Sequence, residues 1–143
     1  MNITSSALTA QRLRMDVISS NVANVDSTRA KYVNGNWVPY RRKMVVLETK
    51  GDQFSNLLNK AMNKGTVPSG VKVSRIVEDE TPYKLVYNPD HPDANEDGYV
   101  QMPNVDPLKE MVDLINATRS YEANVTVFNA SKSMLVKALD IGK

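Results

Sequence analysis

Two apolar stripes with alternating steps of three and four residues, one at each end of the chain, constrain its fold more than any other feature. The first runs through Thr4, Leu8, Gln11, Met15, Ile18, Val22 and Val25. The second runs through Met111, Leu114, Thr118, Tyr121, Val125, Phe128, Lys132, Leu135 and Leu139, and holds its spacing for four heptads. This alternation marks a helix that lays one seam into a partner helix. Gln11, Thr118 and Lys132 interrupt the seams with polar groups, a device that sets register and partner choice at some cost in stability.

The spacing predicts a first helix beginning near Thr4–Ser6, where a hydroxyl can cap it, and running to about Val25. The last helix has a sharper start. Asp106 can accept from the orphan N–H groups of the first turn, Pro107 suits the first helical position, and Gly142 can close the far end. That leaves about 35 residues, or roughly 52 Å of helix at about 1.5 Å per residue. A helix of that length outruns any core that 143 residues can build. Val112, Ile115 and Val136 widen its apolar face beyond one seam, which implies more than one neighbour.

Residues 26–105 carry seven of the nine aromatic side chains, so an independent core belongs there and is small. Residues 26–40 read as a loop with a strong turn at Asn34-Gly35-Asn36. Tyr40–Thr49, Val71–Val77, Tyr83–Tyr87 and Tyr99–Met102 read as strands, the last two bounded by prolines. Gly51–Gly65 fits a short helix or an ordered loop equally well. The fold class is therefore α+β, with boundaries at 1–25, 26–105 and 106–143.

Several function classes fall away on composition. The chain has no cysteine, hence no disulfide framework and no thiolate chemistry. Its net charge of +2 is too small for general polyanion binding, so no nucleic-acid partner is expected. No apolar run reaches the length of a membrane span, and Arg12, Arg14 and Asp16 break the run that a cleaved signal peptide requires. Charge is nonetheless uneven. Arg29, Lys31, Arg41, Arg42 and Lys43 cluster early, while Glu78, Asp79, Glu80, Asp90, Asp93, Glu96 and Asp97 cluster later. The two groups either pair within the molecule or form complementary faces on neighbouring copies.

No arrangement points to catalysis. His91 is the only histidine, and it cannot build a zinc site without cysteines. The carboxylates lie in hydrophilic loops rather than apolar pockets, so no tuned acid–base pair is implied. Asp93-Ala94-Asn95-Glu96-Asp97-Gly98 opens like a calcium loop, and a calcium-dependent binding module using Asp93, Asn95 and Asp97 is the alternative function. The twelfth position is Asn104 rather than a bidentate Glu, and prolines replace the flanking helices. No cofactor or metal is expected, and the chain reads as a non-enzymatic part that assembles with others.

The segment Ser20-Asn21-Val22-Ala23-Asn24-Val25-Asp26-Ser27-Thr28 resembles the N-terminal signature of bacterial flagellar axial proteins, the family of rod, hook and hook-associated proteins. Glu110 to Ile115, then Arg119, Tyr121-Glu122-Ala123-Asn124 and Phe128-Asn129, resemble the C-terminal signature. Lys84–Tyr87, Pro89–Asn95, Gly98–Val100 and Met102–Val105 resemble the members that build the proximal rod. The resemblance covers most of the chain. It implies motif positions at Ser20, Asn21, Ala23, Asn24, Thr28, Tyr121, Glu122 and Asn124. It also implies terminal helices paired in a coiled-coil inner layer beneath a small, mostly β middle portion. The implied partners are copies of the chain, other rod proteins and the flagellar type III export apparatus. The implied place is the rod that crosses the periplasm, reached without a cleaved signal. The subunit interface is then expected at Leu8, Met15, Ile18, Val22, Val25, Met111, Leu114, Tyr121, Val125, Phe128, Leu135 and Leu139.

Overall fold

A computed structural model describes residues 2–49, 58, 61–62 and 71–142. The order of elements is α1 (Asn2–Ala23), β1 (Lys31–Val33), β2 (Asn36–Val38), β3 (Lys43–Thr49), β4 (Val71–Glu78), β5 (Lys84–Tyr87), β6 (Tyr99–Met102) and α2 (Pro107–Ile141). Two long terminal helices with small strand pairs between them give the expected α+β class. Among the described residues the sheets are three separate pairs, β1 with β2, β3 with β4 and β5 with β6. The alternatives for Gly51–Gly65 fall mostly outside the described residues.

The helix ends differ in how well local chemistry specifies them. At α2, Asp106 Oδ1 accepts from the N–H of Leu108 at 3.1 Å, and the N–H of Gly142 donates to Ala138 O at 3.1 Å. Both ends match the expectation. The start of α1 does not, because the helix opens at Asn2, ahead of the hydroxyls. Ser6 Oγ donates back to Ile3 O at 2.8 Å and Thr9 Oγ1 to Ser5 O at 3.2 Å, so these groups bond carbonyls inside the helix instead of capping it. The C-terminal end also falls short of Val25, since Asn24 Nδ2 donates to Ser20 O at 2.8 Å and closes the last turn with a side chain.

The segment expected to be a plain loop contains the β1–β2 hairpin, with Lys31 opposite Val38 and Tyr32 opposite Trp37. Asn34 and Gly35 adopt φ of 52° and 81°, the left-handed pair that a two-residue hairpin turn demands. The Tyr32 and Trp37 rings meet edge to face at 5.2 Å. In the second hairpin Leu85 pairs with Gln101 and Tyr87 with Tyr99, joined by the loop from Asn88 to Gly98. Gly98 has φ of 84°, and a Cβ there would meet Tyr87 Cε2 at 2.9 Å.

Two compact units emerge. One comprises Met15–Met44 with Ile76–Ile115, and its buried apolar residues are Val17, Ile18, Tyr40, Val100 and Val105. The other comprises Met1–Arg14, Val45–Arg75 and Asn116–Lys143, with Ala10 and Ala117 buried among its described residues. Among the described residues the buried apolar set is small, and it is not confined to residues 26–105 as the placing of the aromatics suggests, since Val17 and Ile18 of α1 belong to it.

Candidate assembly site

The most heavily bonded group in the first unit is a side chain that helices rarely bury. Asn21 lies on α1 at 0% exposure. Its Nδ2 donates to Lys43 O at 2.9 Å and to Glu110 Oε2 at 3.3 Å. Its Oδ1 accepts from Lys43 N at 2.9 Å and from the Tyr40 hydroxyl at 2.8 Å. One amide thus grips both backbone groups of the first residue of β3, as a neighbouring strand would, and ties in α2 through Glu110. All four hydrogen-bonding positions of the amide are filled, so its burial carries no unmet desolvation cost.

Glu110, 1% exposed, joins this amide to Arg42. Arg42 Nε donates to Glu110 Oε1, Nη1 lies 3.3 Å from Asp79 Oδ2, and Nη2 lies 3.9 Å from Asp113 Oδ2. A planar guanidinium offers five donors in a fixed fork and can divide them among three carboxylates in this way. Burial disfavours the charge on Arg42, but bonds to Glu110 and Asp79 outweigh it and raise the pKa above its ordinary value. The hydroxyl and N–H of Thr81, with Arg42, hold the Asp79 carboxyl below its ordinary range. Asn104 closes the network, accepting from Arg42 N at 2.7 Å and donating to Asp79 O at 3.0 Å and Thr81 O at 2.9 Å.

The motif positions near α1 each acquire a physical task. Ser20 supplies the carbonyl that Asn24 caps, and Asn24 Oδ1 in turn accepts from Ser27 Oγ at 3.1 Å. Ser27 O accepts from Tyr40 N at 2.9 Å, which fixes the path of the chain beyond the helix. Thr28 Oγ1 donates to Asp93 Oδ2 at 2.8 Å. Ala23 is exposed at the helix end, and nothing in its surroundings explains its identity. On α2, Tyr121 and Asn124 are half-buried and Glu122 is exposed, its carbonyl accepting from Thr126 Oγ1 at 3.0 Å.

The sequence shows Arg42 as one of a basic cluster, Asn104 as the twelfth position of a calcium-like loop and Tyr40 as the start of a strand, and none of these readings brings them to Asn21 and Glu110. Glu110 in the first turn of α2 reads locally as an acid complementing the helix dipole, which gives no hint of its burial.

The charge clusters resolve in part within the molecule. Arg29 pairs with Asp93 at 2.7 Å, Lys31 with Glu78 at 2.6 Å, and Arg42 with Asp79. The calcium alternative loses its first ligand here, since both Asp93 oxygens serve Thr28 and Arg29. Asn95 Oδ1 likewise accepts from Tyr99 N at 2.8 Å. Among the described residues, no group of three or more acidic or histidine side chains could hold a metal ion.

The expected interface residues divide along each helix. Ile18 is buried, and Leu8, Met15, Val22 and Val25 are half-buried. Leu114, Tyr121, Val125 and Phe128 are also half-buried, whereas Met111, Leu135 and Leu139 are exposed. The least exposed line on α2 passes through Glu110, Leu114, Ala117, Tyr121, Asn124, Phe128 and Ser131, keeping the 3–4 rhythm. Beyond Ser131 every residue to Ile141 is exposed, including Met134 at 72% and Leu139 at 65%. Among the described residues, no helix is long and apolar enough to cross a membrane.

Comparison with known proteins gives this geometry a context. A family model described as flagella basal body rod protein matches residues 1–31, and one described as flagellar basal body rod FlgEFG protein C-terminal matches residues 96–141. The flagellar basal-body rod protein FlgC of Bacillus subtilis is 66% identical across 100% of this chain and 96% of its own length. The protein of the same name from Borreliella burgdorferi is 43% identical, covering 99% of this chain and 94% of its own length. That of Escherichia coli O157:H7 is 44% identical, covering 99% and 95%. With both terminal regions matched and these relatives aligned end to end, the chain belongs to the FlgC family of flagellar basal-body rod proteins.

Proposed function

We propose that the chain is a non-enzymatic structural subunit of the proximal rod of the bacterial flagellum, assembling with copies of itself and other rod proteins to transmit torque across the periplasm. In this reading residues 1–25 and 106–143 form a coiled-coil inner layer and residues 26–105 an outer portion. The observation that carries it is the C-terminal end of α2. Met134, Leu135, Val136, Leu139 and Ile141 are each more than half exposed, on a helix that continues past the last partly buried position, Ser131. Contiguous apolar surface of this kind marks a protein–protein contact. The Asn21–Glu110 node suits the same role, because it anchors the roots of both helices to β3 while the far end of α2 reaches for neighbours.

Export then runs through the flagellar type III apparatus without removal of an N-terminal segment, which would otherwise take Leu8, Met15 and Ile18 from the seam. Mass spectrometry of purified basal bodies tests this. The chain should be present and begin at residue 1 or 2. Its absence from basal bodies would refute the structural role, and a product shortened by about 20 residues would refute the export route.

A further inference from the structure

A cleft of about 550 Å³ opens beside the β1–β2 hairpin, lined among others by Ala30, Lys31, Tyr40, Arg41, Lys43 and Tyr83. Its charges are not all matched. Lys31 is taken up by Glu78, and Arg29 at the rim by Asp93. Arg41 instead lies 4.5 Å from the centre of the Tyr83 ring and donates to Asp79 O at 3.0 Å. The Lys43 ammonium lies 5.9 Å from the centre of the Tyr40 ring. Among the described residues, neither forms an ion pair with a carboxylate. The Glu78 carboxyl is held below its ordinary range, first by its bond to Lys31 and further by the field of Arg41 and Lys43. The cleft therefore presents two cations seated over aromatic rings.

Two exposed carboxylates sit side by side elsewhere on the same chain. Glu96 and Asp97 form an exposed turn, an acidic tip just ahead of β6. Their turn is held by Gly98 N to Asn95 O at 3.0 Å, Asn95 N to Tyr99 O at 2.9 Å and Tyr99 N to Asn95 Oδ1 at 2.8 Å. A turn braced in this way presents both side chains at little further ordering cost. Two cations are too few to hold a nucleic acid, but they match two adjacent carboxylates in number and sign.

We propose that the Glu96–Asp97 tip of one subunit enters the Arg41–Lys43 cleft of a neighbouring copy. The contact rests on the assembly reading above and adds to it a pairing outside the helical seams. One copy's tip leaves that copy's own cleft free for a third, so the contact is head to tail and propagates, as an axial structure requires.

The chain has no cysteine, so engineered pairs report cleanly. Full-length chain carrying Ala94→Cys, which keeps both carboxylates, is mixed with chain carrying Ala30→Cys and treated with a short bismaleimide, and Leu135→Cys on both chains reports the helical seam. An Ala94→Cys to Ala30→Cys heterodimer is expected. Lys43→Glu on the cleft chain should lower its yield about tenfold, because like charges then meet. Asp97→Lys on the tip chain should do the same, and the two changes together should restore the yield, which a folding defect would not. Seam crosslinks without the heterodimer, or a heterodimer indifferent to both charge changes, would overturn the inference and leave the assembly reading in place. A heterodimer without seam crosslinks would support the contact and count against the helical seam. Loss of both would overturn both.

Discussion

Asn21 shows at the scale of one residue how a local motif becomes a tertiary device. The sequence makes it conspicuous in Ser20-Asn21-Val22-Ala23-Asn24, yet its partners lie 22 residues away at Lys43 and 89 away at Glu110. Periodicity says which face a residue occupies, but not which backbone groups will need it. That is why Asn21 is legible as a motif position, while Arg42 shows only as part of a basic cluster, Asn104 only as the last position of a calcium-like loop and Tyr40 only as the start of a strand. Asn21→Ala would leave the N–H and carbonyl of Lys43, the Tyr40 hydroxyl and a Glu110 oxygen short of a partner. Urea unfolding should show a loss of about 3 kcal/mol, from several buried groups at roughly 1 kcal/mol or more each. A loss within experimental error would mean that water replaces the amide and that the node is wetter than its burial implies.

At the scale of elements, strong local chemistry is legible in the sequence and competition between local options is not. Asp106, Pro107 and Gly142 located α2 because each acts on its own helix end. The hydroxyls near Thr4 misplaced the start of α1 because serine and threonine can bond a carbonyl one turn back as readily as they cap. Asn34-Gly35 identifies the turn, but β1 and β2 are only three residues each and too short to show a period. The two left-handed glycines separate backbone strain from crowding. Gly35 faces open space, so Gly35→Ala should cost about 1 kcal/mol for the conformation alone. Gly98→Ala meets the Tyr87 ring as well and should cost about 2–3 kcal/mol. Equal losses in thermal unfolding would show that Tyr87 moves aside freely.

For the whole molecule, acid is the simplest probe of the links between early cations and late carboxylates. Glu78, Asp79 and Asp93 all have pKa values lowered from ordinary values of 4.5 and 3.8, through bonds to Lys31, Thr81 and Thr28 respectively, with Arg42 and Arg29 adding to the last two. Groups depressed in the folded state stabilise it fully above their unfolded pKa values and lose that contribution as pH falls through the folded ones. Stability should therefore hold down to about pH 5 and fall progressively below about pH 4. Exposure to solvent makes the Lys31–Glu78 share small. Asp79→Asn should flatten part of the acid slope in urea midpoints measured against pH, and an unchanged slope would exclude Asp79 as a contributor. Leu135→Asp asks whether the apolar end of α2 exists for neighbours. Leu135 is 51% exposed in the single chain, so unfolding of the purified variant should change by no more than about 0.5 kcal/mol. Recovery of the variant in purified basal bodies should nevertheless be abolished, because a carboxylate would be buried unpaired in the assembled seam. Incorporation of a folded Leu135→Asp chain at the level of the parent would mean that the end of α2 is not an assembly surface.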